Sequence, residues 1–279
     1  MLCGDDDGRK PGDWLALVHG ALEHGVNAFE IARPSQALLT GFAEGIAAVR
    51  RSLLFVSLRA NQDMPGRRLD GWVSEVIAAG GLGEINLFTI DADAQEFEEA
   101  LGAGLRLKDL NLVRRLAVAG PGDLLTEHVE DPLFDALVMP FGLQSVWRDR
   151  NLVRTALERQ MSVMSYDPCP AGLTQQAKED KKQTRGGWFK RADPLAAAGS
   201  HAFLQSTPGW SAEQICLAYA LTEPAVTTVQ MPALDLDHLN DLADVPERSL
   251  PAQVAAQIEM AHFTGERTAR TRSSDKRRA

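Results

Sequence analysis

The stretch GVNAFEIARPSQ, residues 25–36, passes from a buried-looking run directly into a polar turn, the outline of a strand that opens onto a site. It contains little that could do chemistry. The usual constellations are missing elsewhere too. The six histidines, His19, His24, His128, His201, His238 and His262, are scattered with no HExxH or comparable spacing, and they read as surface or capping residues, not metal ligands. Cys3, Cys169 and Cys216 lie far apart without a CxxC pair, which argues against a disulfide framework and implies no metal site. Cys169 reads as an inert thiol unless a neighbour lowers its pKa. GGLG at 80–83 has neither a strand before it nor GxGxxG spacing, so it predicts a helix end and turn, not a phosphate cradle. Trp188 and Phe189, flanked by Lys190 and Arg191, read as anchors of a solvated loop or as a contact surface.

Any site must be held by the elements around it. Short apolar runs recur at 26–31, 53–58, 85–90, 115–120, 135–140, 162–166 and 226–231. Each has the length of a strand buried on both faces, where hydrophobicity is continuous instead of alternating. Helical spacing fills the gaps: Trp14, Leu17, Val18, Ala21 and Leu22 share one face after the start signal Pro11, Gly12, Asp13, and Leu38, Leu39, Phe42 and Ile46 share another. SVWRDRNLVRTALERQ and SAEQICLAYALTE add two more helices, each opening on a serine in N-cap position. Strand and helix alternate, which argues for parallel βαβ units in a barrel or an open doubly wound sheet. Seven strands are visible, so the first strand of an eight-stranded barrel is reduced or missing. The polar, Gly-punctuated segment 173–194 reads as a long functional or mobile loop, and the basic 264–279 as a disordered tail that serves a partner or a protease.

The balance of the chain narrows the function classes. At 279 residues, 44% of them hydrophobic and 24% charged, it suits one α/β barrel of about 250 residues. A net charge of -9 and a pI near 5.2 oppose general attraction to nucleic acid or to anionic membranes. The acidic start MLCGDDDGRKPGDW is unlike a signal peptide, and no apolar run approaches the roughly 18 residues that span a bilayer. With three unpaired cysteines, the expected compartment is the reducing cytoplasm.

Several of these segments resemble the aldo-keto reductase superfamily. GALEHGVNAFEIA is similar to its AL.LGINFFDTA..YG, FVSLR to ISTK, INLFTID to DLFLIH, and VMSYDPCPAGL to VIAYSPLA.GLL. SAEQICLAYALTEPAVTTV with ALDLDHLNDL is similar to the C-terminal run TPAQLALAWALAQPGVTTVIPG...PEQLEEN. The resemblance covers about residues 12–245 in order. It implies a (β/α)₈ TIM barrel over 1–263, followed by the tail at 264–279, and a nicotinamide dinucleotide bound at the C-terminal strand ends. It also implies carbonyl reduction by a tetrad of Asp, Tyr, Lys and His. By position the tetrad falls on Glu30, Ser35, Arg59 and Asp91, and none of the four types is kept. The reaction needs a tunable proton donor. Serine starts far too weak and too short, and a guanidinium keeps its proton. The expected remnant is an ion pair of Glu30 with Arg59, with Asp91 as a second acceptor, either structural or recruited with Glu30 or Asp91 as a base.

The same resemblance places the cofactor against Tyr166, Asp167, Pro168, Cys169, Asp235 and Asp237. Tyr166 holds the position of the ring that stacks on nicotinamide, although a core aromatic with a satisfied hydroxyl is an equal reading. Ala119, Gly120 and Pro121 replace the Ser and Asn that hold the carboxamide, Val138 replaces a Gln, and Pro232 a Gly. Asp235 and Asp237 would repel a 2′-phosphate, so NAD(H) is favoured over NADP(H). The loss of the tetrad beside a partly kept pocket resembles the KidO type of NAD(H)-binding regulator, and implies as partners the tubulin-like division GTPase FtsZ and a cell-fate sensor histidine kinase. The expectation is a pseudoenzyme regulator. An atypical active oxidoreductase and a cofactor-free scaffold barrel are the alternatives.

Overall fold

The computed structural model describes residues 1–5, 7–60, 65–169 and 201–260; the loop expected at 173–194 and the tail expected at 264–279 lie outside them. Parallel strands alternate with helices: β1 (Leu2–Asp5), α1 (Pro11–Glu23), β2 (Ala28–Arg33), α2 (Gln36–Ile46), β3 (Phe55–Arg59), α3 (Leu69–Ala79), β4 (Ile85–Asp91), α4 (Phe97–Asp109) and β5 (Val113–Ala119). The order continues with α5 (Gly122–Leu125), β6 (Ala136–Pro140), α6 (Trp147–Glu158), β7 (Ser162–Tyr166), α7 (Ala212–Ala220), β8 (Val226–Val229), β9 (Met231–Pro232) and α8 (Leu236–Ala243). Each strand pairs with its sequence neighbour, and the last one closes the ring. β8 lies against β7, while β9, one residue further on, lies against β1. Gln230 makes the junction, its N–H donating to the Ser165 carbonyl while Met231 N–H donates to Met1. The result is the expected (β/α)₈ barrel, with its eighth strand interrupted once.

The opening strand is present, and it is short. Leu2–Asp5 carries too little apolar sequence to show as a strand on its own, and it is held by pairing on both edges, Cys3 with Glu30 on one side and Pro232 on the other. Helix starts follow local chemistry. Pro11 stands first in α1, Asp13 accepts from Lys10 N–H at 3.0 Å, and Ser211 caps α7 in a reciprocal pair with Gln214. Ser145 does not cap α6 as expected. The N-cap is Val146, whose N–H donates to Asp149 at 3.1 Å, so the carboxylate three residues into the helix takes the role. Gly80 ends α3, with Gly81 and Gly83 in left-handed turn conformations, as GGLG predicts.

The chain divides into two compact units. The first comprises residues 1–141, 145–167 and 223–244 and contains the barrel. Side chains alternate along its strands. Leu87, Ala117, Ala136, Val138 and Met164 form an apolar cluster with Phe55 and Met1, while Glu30, Ser57, Thr89, Asp91 and Gln230 are buried polar positions. Helices α1 and α2 pack closely because Gly41 and Gly45 lack side chains. A Cβ at Gly41 would collide with the Pro11 carbonyl and come within 2.7 Å of Trp14 Cβ. Gly41→Ala should therefore cost about 1–3 kcal/mol in chemical denaturation, against the modest gain alanine brings to an unconstrained helix position.

The second unit, described over 142–144, 168–169, 201–222 and 245–260, has its own core of Leu143, Phe203, Leu204, Ile215, Cys216, Val254 and Ile258. The Arg248 guanidinium lies 3.9 Å from the centre of the Trp210 ring. Among the described residues no helix is long and apolar enough to cross a membrane. No group of three or more His, Cys, Asp or Glu side chains there could hold a metal ion.

Candidate active site

Strand register decides which of the tetrad positions meet. Glu30 aligns with Ser57 and with Cys3, one layer below Arg59, which aligns with Thr89; Asp91 lies two residues beyond Thr89. Arg59 and Asp91 thus end neighbouring strands at the mouth, and Glu30 lies beneath them. The guanidinium grips Asp91 by Nε at 3.0 Å and by Nη2 as well. Of the two expected acceptors, Asp91 takes the guanidinium and Glu30 does not, because the long side chain at the end of β3 reaches upward past its register partner Thr89 to the end of β4. Glu30 bonds instead to the Gln230 amide, a group that the matching of family positions does not single out.

Burial sets the acidity of these groups. Glu30 is 2% exposed, and desolvation pushes its carboxyl up to about 7; Arg59 and a hydrogen bond with Ser57 pull the other way, while Asp91 adds to the rise. The Ser57 hydroxyl also lies 3.4 Å from that of Thr89. Beside Glu30, the Cys3 thiol is pushed up to about 12 by burial and by the Glu30 and Asp5 carboxylates, so it stays protonated and unreactive. For Arg59, burial works against the charge, but the Asp91 bond outweighs it and the guanidinium is held above its ordinary value.

Tyr166 ends β7 at the same mouth, half-buried, with the Arg59 guanidinium 5.5 Å from its ring centre. Burial raises its hydroxyl above the usual phenol range despite Arg59. Ser35 is elsewhere engaged: it is the N-cap of α2, its Oγ accepting from Leu38 N–H at 3.2 Å.

Asp167, in a left-handed conformation, follows Tyr166 in the barrel unit, whereas Pro168 and Cys169 belong to the second unit, where Cys169 packs half-buried on the apolar core. Asp235 caps α8, accepting from His238 N–H at 2.8 Å, and Asp237 is exposed in that helix's first turn. Val138 is fully buried in the apolar cluster and offers no donor to a carboxamide.

The aldo/keto reductase family model matches residues 4–262. The chain belongs to the aldo/keto reductase family. Solved structures show the same fold at low identity. Aldo-keto reductase AKR11C1 from Bacillus halodurans is 16% identical in its holo form, with a TM-score of 0.66 over 88% of this chain and 86% of that one. Its apo form gives 0.67 over 91% and 88% at the same 16% identity. Aldose reductase from Giardia lamblia is 12% identical, with a TM-score of 0.68 over 94% and 92%. No curated protein matches the sequence. Members of this family bind nicotinamide cofactors, and in this aldo/keto reductase barrel the Tyr166 ring at the mouth fits one face of such a group. The side chains at Ala119, Gly120, Pro121 and Val138 offer its carboxamide no hydrogen bond.

Proposed function

We infer that this chain is a non-reducing member of the family, which binds NAD(H) at the barrel mouth and acts on a protein partner. The observation that carries the reading is the closed Arg59–Asp91 pair. At the positions where reduction needs a proton donor, the cation and the carboxylate satisfy each other, and the Ser35 hydroxyl is spent on a helix cap. Glu30, the group with acidity nearest neutrality, is sealed beneath them against Gln230. Turnover with a relocated acid would fall to Tyr166, the phenol beside Arg59, but burial moves that hydroxyl away from working pH. Resemblance to the KidO type suggests the division GTPase FtsZ and a sensor histidine kinase as the partners to test.

Titration of the purified protein with NADH, followed by tryptophan-to-nicotinamide energy transfer and by calorimetry, tests this. Saturable NADH binding is expected, weaker binding of NADPH, and no oxidation of NADH by added aldehydes or quinones above the uncatalysed rate. Tyr166→Ala should weaken NADH binding by about tenfold, or roughly 1.4 kcal/mol. Steady carbonyl reduction would overturn the loss of catalysis. Absence of binding to either nucleotide would leave a scaffold barrel. Pull-downs with and without NADH would then show whether the nucleotide controls partner binding.

A further inference from the structure

The opposite end of the barrel frames a cavity of about 840 Å³ at the N-terminal ends of the strands. A barrel interior is ordinarily filled by layers of bulky branched side chains. Here the layer at that end includes Ala28 at the start of β2 and Ala136 at the start of β6, and the space they leave is floored by Phe55, Leu87 and Met164. The volume is that of a site for a small organic molecule.

Of the two arginines in this lining, Arg159 has a carboxylate partner and Arg115 has none among the described residues. Arg115, on β5 and exposed, forms no hydrogen bond or ion pair with the described residues. The acids around it have donors of their own. Glu130 is paired with Arg159 at 3.1 Å. Asp135 is paired with Lys108 at 3.4 Å and accepts from Leu116 N–H at 3.0 Å, and Asp131 accepts from Leu133 N–H at 2.9 Å. A guanidinium is a planar fork made for a carboxylate, and this one stands at a hollow whose lining sets the apolar Phe55, Leu87 and Met164 beside polar side chains such as Ser162, Thr227 and Thr228.

The geometry points to a second binding site at the N-terminal end of the barrel, which takes an organic carboxylate with an apolar body, its head on Arg115 and its body over Phe55, Leu87 and Met164. The inference is independent of what binds at the mouth. Calorimetry and thermal unfolding of the full chain with octanoate, octanol and octylamine separate the two halves of the recognition. Octanoate should bind saturably and raise the melting temperature, octanol should bind at least tenfold more weakly, and octylamine should not bind. Arg115→Ala should weaken octanoate to the level of octanol and leave octanol unchanged. Ala28→Met, which fills the hollow from a half-buried position, should weaken both. Equal binding of all three probes, preference for the amine, or unchanged octanoate affinity in Arg115→Ala would overturn the proposal. Arg115 is exposed and unpaired, so that variant keeps the test valid if Ala28→Met does not fold.

Discussion

Arg59→Met is expected to lower the unfolding free energy by about 3–5 kcal/mol at pH 7, and Asp91→Asn by about half as much. The asymmetry follows from what each change leaves behind. The Asp91 side chain is 4% exposed, so removing the guanidinium takes away charge-assisted bonds where little water can replace them. The Arg59 side chain is 24% exposed at the mouth, can turn toward solvent, and still lies over Tyr166. Loss of Arg59 also removes the charge that most restrains the rise in Glu30, adding to the cost. The double variant Arg59→Met, Asp91→Leu should recover most of the loss, because replacing both ions of a buried pair with apolar groups is far cheaper than removing one. Urea denaturation of the four proteins decides it. Equal losses for the two single variants would mean that the pair is effectively solvated and that the mouth is more open than its burial implies.

The parts of this molecule that were legible in its sequence are those where composition alone sets the structure. The buried parallel strands show because the short runs at 26–31 and 85–90 are mostly apolar without helical spacing, and the alternation with amphipathic helices then leads to a barrel or a doubly wound sheet. β1 did not show, since Leu2–Asp5 is two polar or small residues for two apolar ones, and it is a strand only because its edges are occupied by β2 and β9. The site divides the same way. Glu30, Arg59 and Asp91 were found by matching positions, and Asp91 was expected as a second acceptor for Arg59, but that Glu30 takes no part in the pair was not, because this depends on height along the barrel axis. Two residues along the strands separate the layer of Glu30 and Ser57 from that of Arg59 and Thr89, and Asp91 lies two residues beyond Thr89. Gln230 is the omission with most consequence. An amide interrupting VTTVQM is a signal in itself, since a buried polar side chain between two strands of the barrel needs a partner.

That partner gives the second large effect, which appears in the pH dependence of stability. Glu30 holds its proton up to about pH 7 in the folded chain and to about 4.5 in the unfolded one. Between those values the native state binds the proton that the unfolded state has released, so stability falls as pH rises through the window, and it is constant on either side. At about 1.4 kcal/mol for each pH unit of that window, the loss amounts to about 3 kcal/mol. Glu30→Gln keeps the shape and a hydrogen bond to Gln230 while removing the titration. It should match the wild type within about 1 kcal/mol near pH 4.5 and exceed it by about 3 kcal/mol at pH 8. Other titrating groups contribute equally to both proteins, so the difference between their denaturation curves at each pH isolates this carboxyl. Two parallel curves from pH 5 to 7.5 would mean that Glu30 is already ionised and satisfied by Arg59 and Gln230. The acid beneath the closed pair would then be a permanent charge, not a neutral group sealed away from the mouth.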